Sequence, residues 1–334
     1  MVQRKWLGLT SFEYLTLLYI VITTVMIMSM WNELTNPQSM LLLRLMAVMS
    51  MSLAVVLART LSRFLPPQSC RWFCRIPELI RITPTLVLLI WWYPEIFEFV
   101  GQYEYLDHVF ADIDQTLFGI QPSLAFELAM PQALWSELFC MGYYAYYYMM
   151  AAVIIWYLFR RHDQLDRIGF IFFASFFILY FVYEFLPVAG PQFYFMALLN
   201  RGDIVSVENT ASFSTLFAEG FPQLGHYFQH HRDMLTPEVQ GVFGQLVVSA
   251  HEIGERPIAA FPSSHVGIST ILMIMVWNTR NRWFFWVMFP VYILLCCGTV
   301  YIKAHYLIDS IAGFITAILL YYLTDRIYTK FVKS

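Results

Sequence analysis

Residues 283–301 read WFFWVMFPVYILLCCGTVY, nineteen positions without one charged side chain. A helix needs about 20 mostly apolar residues to cross a ~30 Å hydrocarbon core, so this stretch predicts a membrane span. The same ruler finds a span on each side of it, over 262–279 and 305–324, the first joined to it by the turn Arg280-Asn281-Arg282. Toward the N-terminus it finds five more, over 12–31, 40–58, 79–100, 133–159 and 168–188. The expected fold is all-α, a polytopic membrane helix bundle of about eight transmembrane helices.

Composition agrees. Hydrophobic residues make up 59% of the 334 and charged residues only 13%. Typical globular chains carry about 25% charge, and so small a share cannot coat a soluble surface of this size. A net charge of −3 carries no polyanion-binding signature, which excludes nucleic acid as a partner. Disorder and a disulfide-rich secreted scaffold fail on the same numbers.

Basic residues mark the cytoplasmic side of membrane proteins. With the N-terminus inside, the cytoplasmic segments hold Arg4, Lys5, Arg59, Arg63, Arg71, Arg75, Arg81, Arg160, Arg161, Arg167, Arg280, Arg282, Arg326, Lys330 and Lys333. The opposite face keeps Arg201, Arg232, Arg256 and Lys303, and Arg44 sits within a span. Both termini are therefore expected in the cytoplasm. The first span is too long for a cleavable signal peptide and reads as a signal anchor. Two outer loops, 101–131 and 189–261, are long; the second carries Pro/Gly turns at 220–222 and 236–238, and both suggest short interfacial helices. Cys70 and Cys74 share a cytoplasmic loop with no further ligand for zinc, so the cysteines read as structural thiols.

Ionisable groups at membrane depth are functional candidates by default. Phe261-Pro262-Ser263-Ser264-His265 opens the sixth span. Proline suits a first helical turn, and the serines with the free N–H groups behind it form an anion site. Forty residues on, Lys303-Ala304-His305-Tyr306-Leu307-Ile308-Asp309 opens the eighth. His305 and Asp309 are four apart, which on a helix puts carboxylate and ring within hydrogen-bond reach. One inward and one outward helix separate the histidines, so both reach the same non-cytoplasmic face. Two histidines, phosphate donors and a carboxylate there describe phosphoryl transfer through a phosphohistidine.

PSSH followed by HYLID resembles the second and third motifs of the type 2 phosphatidic acid phosphatase superfamily, written P-S-G-H and S-R-x5-H-x3-D. The resemblance covers about 100–325 and implies a six-helix catalytic core. It implies that His305 is the nucleophile, Asp309 its orienter and His265 the general acid, with neither metal nor other cofactor. It also divides the chain into accessory helices with a basic loop over 1–78 and a catalytic membrane domain over 79–334. The motif arginine would fall at Thr299, and Lys303, one turn on, supplies a cation instead. That variant, with Gly190-Pro191-Gln192-Phe193-Tyr194-Phe195 and the FGIQPS segment at 118–123, looks more like the inositol phosphorylceramide synthase branch. Many of its members carry arginine where this chain has Gln192. The first motif, K-x6-R-P, is partial: Arg256-Pro257 is present, but Ser249 stands at the lysine position.

The expected phosphate ligands are thus Lys303, Ser263, Ser264, Arg256 and Gln192. The expected substrate is a membrane lipid phosphate, with an alcohol or lipid as acceptor in a transferase and water in a phosphatase. A non-catalytic lipid-binding or transport protein is the alternative from another class, although transporters usually carry inverted repeats and no repeat is visible. His226, His230 and His231 in the outer loop read as a solvated polar face, and the YYAYYY run at 143–148 as an interfacial aromatic belt, with the lining of a lipid or sugar pocket as the alternative. Arg44 reads as snorkelling or as meeting an anionic head group. Glu184 reads as a buried partner or a site residue.

Overall fold

The computed structural model describes residues 8–64, 73–100, 104–202, 224–235 and 241–332. Arg4, Lys5, Arg71, Lys333, Cys70, the side chain of Cys74 and the turns at 220–222 and 236–238 lie outside the described residues. The described residues form helices and no strand. In chain order these are α1 (Ser11–Ser29), α2 (Pro37–Phe64), α3 (Ile76–Val100), α4 (Asp107–Phe118), α5 (Pro122–Ala129), α6 (Ala133–Arg160) and α7 (Leu165–Phe185). There follow α8 (Pro191–Arg201), α9 (Leu224–His230), α10 (Val242–Gly254), α11 (Ser264–Asn278), α12 (Arg282–Tyr301) and α13 (Leu307–Ile327).

Among the described residues, seven of these helices (α1, α2, α3, α6, α7, α12 and α13) are long and apolar enough to cross a membrane. The chain is a multi-pass helical bundle. The sixth expected span differs: α11 has 15 residues, about 22 Å at 1.5 Å per residue and short of a full hydrocarbon core. Its ends explain the length. The Ser263 hydroxyl caps the first turn by accepting from Val266 N–H, and the helix closes at Thr279. The two long loops over 101–131 and 189–261 carry the short helices α4, α5, α8, α9 and α10.

The helices group into two compact units, Met1–Phe99 with Ala151–Ile178 and Leu320–Ser334, and Val100–Met150 with Leu179–Leu319. In the first, Thr10 and Glu13 form a capping box at α1. Tyr19 stacks on Phe177 at 4.4 Å and tilts against Trp92 at 5.0 Å between ring centroids. Arg81 pairs with Glu13, and Arg167 with Asp325. Arg44 neither snorkels nor waits for a head group. It is 4% exposed, its guanidinium pairs with Glu95, and its Nε donates to Thr23 Oγ1 at 3.3 Å. A buried cation needs a buried anion, which also accounts for the carboxylate inside the third span.

In the second unit, Phe139, Cys140, Tyr143, Val247, Tyr301, Ile302 and Ala304 form one buried cluster. Glu137 of α6 accepts from the N–H groups of Phe243 at 3.1 Å and Gly244 at 2.9 Å, capping α10 from outside. Cys140, Cys296 and Cys297 are free thiols.

Candidate active site

His265 is the second residue of α11, so Ser263 and the cap fix its place. Tyr143 stacks on its ring at 4.4 Å and 25°, and Tyr146 tilts against it at 4.6 Å. Residues three apart share a helix face, and both tyrosines are buried while Tyr147 and Tyr148 are 48% and 64% exposed. The expected aromatic belt is therefore split: one face of the YYAYYY run clasps His265, and only the other meets the surroundings. The Nδ1 of His265 is buried and has no hydrogen-bond partner.

His305 is held differently. α12 ends at Tyr301 and α13 begins at Leu307, so the segment between them is not helical. Lys303 sits there at φ +65°, and Ala259, on the facing strand of chain, at φ +71°. Left-handed backbone costs a non-glycine residue roughly 1–2 kcal/mol, so surrounding contacts must impose it. They are visible: Ile302 N–H donates to Gly298 O at 3.0 Å, Lys303 N–H to Val300 O at 3.0 Å and His305 N–H to Thr299 O at 3.1 Å.

The histidine rings lie 5.7 Å apart, centroid to centroid, at 64°. The His305 Nδ1 is 2.8 Å from the Ala260 carbonyl oxygen. A carbonyl only accepts, so Nδ1 carries the proton and Nε2 keeps its lone pair. The sequence spacing assigned this orienting bond to Asp309. Instead Asp309 Oδ2 is 3.7 Å from Nδ1 and accepts from Tyr306 N–H at 2.9 Å. The reason is local: His305 precedes the helix, so i,i+4 geometry does not apply to the pair. Asp309 is fully buried, and its Oδ1 has no partner.

The remaining expected ligands are spread around this core. Ser263 is committed to structure: its N–H donates to Asp309 O at 3.0 Å, and its hydroxyl is the cap. The same carbonyl region of α11 packs on α13 so closely that a Cβ on Gly313 would come within 2.5 Å of Ser263 O. Ser264 opens α11 beside it. Lys303 is 5% exposed, and its ammonium pairs with Glu127, a residue of α5. Thr299, at the family's arginine position, is buried and hydrogen-bonded to Ser310 at 3.1 Å. It does not share a helical face with Lys303, which lies past the end of α12. Gln192 joins the site through backbone, its N–H donating to Lys303 O at 2.8 Å, and its buried Nε2 has no partner. Arg256 is half-buried, its Nη1 donating to Glu255 O at 2.8 Å. His226, His230 and His231 are exposed, as the polar-face reading expects.

Four further residues escaped the sequence. His251 of α10 is 5% exposed, meets Tyr143 edge-on at 5.7 Å and leaves Nε2 unpartnered. Burial lowers its pKa to about 4, keeping the ring neutral. Glu127 is the counter-ion of Lys303. Asp107 accepts from Ala189 N–H and Gly190 N–H, both at 2.8 Å, and from the Tyr306 hydroxyl at 3.1 Å. Asp114 accepts from Leu307 N–H at 2.8 Å and Ile308 N–H at 2.9 Å. Burial raises Asp107 to about 7 and Asp114 to about 6, against the pull of those hydrogen bonds. Only an aspartate spaced seven from another on α4 hinted at this, since residues seven apart share a face.

A search of curated proteins and a search of solved structures each return no match. The family model of the PAP2 superfamily matches residues 108–323, a span that contains both histidines, Asp114, Asp309 and the clasp around His265. By that match over most of its length, the chain belongs to the PAP2 superfamily of phosphatases and phosphotransferases.

Proposed function

We propose that this membrane protein cleaves a lipid phosphoester through a phosphohistidine on His305 and passes the phosphoryl-bearing group to an alcohol acceptor, as inositol phosphorylceramide synthases do. The observation that carries the proposal is the pair of rings 5.7 Å apart, with His305 Nδ1 donating to Ala260 O so that Nε2 is free to attack. In the first step Nε2 forms an N–P bond while the P–O bond to the departing alcohol breaks. His265, protonated beside the bound anion, gives its proton to the leaving oxygen. In the second step His265 takes the acceptor's hydroxyl proton, the acceptor oxygen attacks phosphorus, and the N–P bond breaks to restore His305. Asp309, at 3.7 Å, stabilises the positive charge that develops on the ring. Ser264 and the backbone of the α11 first turn, Lys303, Arg256 and Gln192 receive the phosphoryl oxygens.

The balance of charge favours a transferase. Lys303 enters paired with Glu127, and glutamine stands at 192, so the site offers little uncompensated positive charge. A singly charged phosphodiester of a head-group donor suits it better than a doubly charged phosphomonoester. The basic-residue distribution supports both termini in the cytoplasm and a site opening to the periplasm, exterior or lumen. On this view residues 1–78 are accessory to a catalytic membrane domain over 79–334.

The test is purified protein in detergent with a labelled lipid phosphodiester or lipid phosphate, with and without a long-chain alcohol or ceramide. Transfer of label that requires the acceptor is expected. Stoichiometric release of inorganic phosphate without any acceptor would make the enzyme a lipid phosphate phosphatase using water.

A further inference from the structure

His305 lies in an irregular segment, yet its Nε2 must be held at a fixed point for in-line attack. Something outside the segment must fix it, and α4 is arranged to do so. Asp107 and Asp114 are both fully buried and stand seven residues apart, on one face and about 10 Å along the axis. Among the described residues neither has an ion-pair partner. Between them they accept five hydrogen bonds, four from backbone N–H groups and one from a phenol.

The targets of those bonds surround His305. Asp107 holds the side chain of Tyr306, the next residue, and the N–H groups of Ala189 and Gly190. Gly190, at φ +97°, lies so close to the segment that a Cβ there would come within 2.6 Å of the Ala304 carbonyl, the residue before His305. Asp114 caps the first turn of α13 through Leu307 and Ile308. The start of α4 is itself pinned, Leu106 N–H donating to Pro187 O at 2.9 Å. Residues 306, 307 and 308 are thus bonded to α4, and residue 304 lies against the turn that Asp107 grips.

We infer that Asp107 and Asp114 are positioning residues: through Tyr306, the Gly190 turn and the first turn of α13, α4 sets the place of the His305 ring for attack on phosphorus. This deepens the proposed reaction and rests on it. A carboxylate that accepts two or three buried bonds can be replaced by an amide only at the loss of an acceptor, because Asn presents an N–H₂ group where an N–H must be met. Misplacing a nucleophile lowers the chemical step more than it lowers binding.

The test compares Asp107→Asn, Asp114→Asn and Tyr306→Phe with the wild type, all in the full-length protein in detergent. Two readouts are taken: kcat and KM for the lipid substrate, and the rate at which diethyl pyrocarbonate modifies His305, followed by mass spectrometry. The expected result is a fall in kcat of about 10- to 100-fold for the aspartate variants and a few-fold for Tyr306→Phe, with KM within about threefold. His305, 4% exposed in the wild type, should be modified several times faster in each. Folded variants with wild-type kcat, or with raised KM and unchanged kcat, would overturn the inference. If an aspartate variant does not fold, Tyr306→Phe decides, since it removes one hydroxyl and leaves the core volume. If the wild type turns over neither lipid phosphodiester nor lipid phosphate, the proposed reaction fails, and the modification rate still decides: unchanged labelling of His305 in the variants sinks the positioning role by itself.

Discussion

The two units treat their buried charges differently. In the first, buried charge is met chiefly by opposite charge, Arg44 by Glu95 and Arg81 by Glu13, with Arg167 and Asp325 paired at a more exposed position. In the second, three fully buried aspartates are met chiefly by backbone N–H groups, Asp107 at Ala189 and Gly190, Asp114 at Leu307 and Ile308, and Asp309 at Tyr306. The second unit also holds an ion pair, Lys303 with Glu127, and it lies in the candidate site. An ion pair needs only two side chains within reach and tolerates some play. A carboxylate bonded to two successive N–H groups fixes the backbone itself. The first arrangement holds helices together, and the second holds a loop in one shape.

The sharpest break of that comparison is His305→Ala. Turnover should fall by about 10⁴-fold or more, roughly 5 kcal/mol of transition-state stabilisation, while the protein keeps its thermal midpoint in detergent. Lipid phosphate turnover at the wild-type rate would end the phosphohistidine mechanism.

Glu95→Ala should do the reverse. It leaves Arg44 buried without its carboxylate, which costs about 3–5 kcal/mol of stability. Thermal unfolding in detergent should drop, with kcat per folded molecule unchanged. A double variant, Arg44→Met with Glu95→Leu, should recover most of the loss, because two apolar groups of similar size replace the pair. A large fall in kcat in that folded double variant would mean that the pair serves the chemistry as well.

Asp107 gives the smallest effect and the finest distinction. Burial raises its pKa to about 7 in the folded protein, against about 3.9 unfolded. A raised carboxyl pKa stabilises the fold at low pH, fully below about pH 4, and the contribution is lost as pH climbs through 7. That difference corresponds to at most roughly 4 kcal/mol. The difference in thermal midpoint between wild type and Asp107→Asn should therefore be greatest near pH 4 and shrink toward pH 7.5. A difference that grows with pH would mean the hydrogen bonds outweigh burial, making the clamp a net stabiliser in its ionised form.

Much of the site was legible in the chain. PSSH and HYLID gave His265, His305 and Asp309, and the two intervening helices put them together. What escaped were the partners themselves, residues that reach the site only from far along the chain. Asp107 reaches Tyr306 across 199 positions and Asp114 reaches Leu307 across 193, and no local pattern encodes such contacts. The tyrosine run left two readings open for a related reason: its composition suits an interface or a pocket, helical phase divides it, and only packing says which face meets His265. The His305–Asp309 spacing misled because it assumed helix at a position where the helix has not begun.

The sequence by itself determined that the chain is a multi-pass helical membrane protein with two histidines near one end of neighbouring helices. Apolar run length and charge placement are local properties, and lipid as a solvent leaves the backbone few other choices. Tertiary structure alone decided the tautomer of His305, through a carbonyl 45 residues away, and the pairing of Lys303 with Glu127. It also decided the grip of α4 on the segment between α12 and α13. Those depend on which polar groups meet once the helices pack, and a buried polar group takes the partner within reach, whatever its distance along the chain.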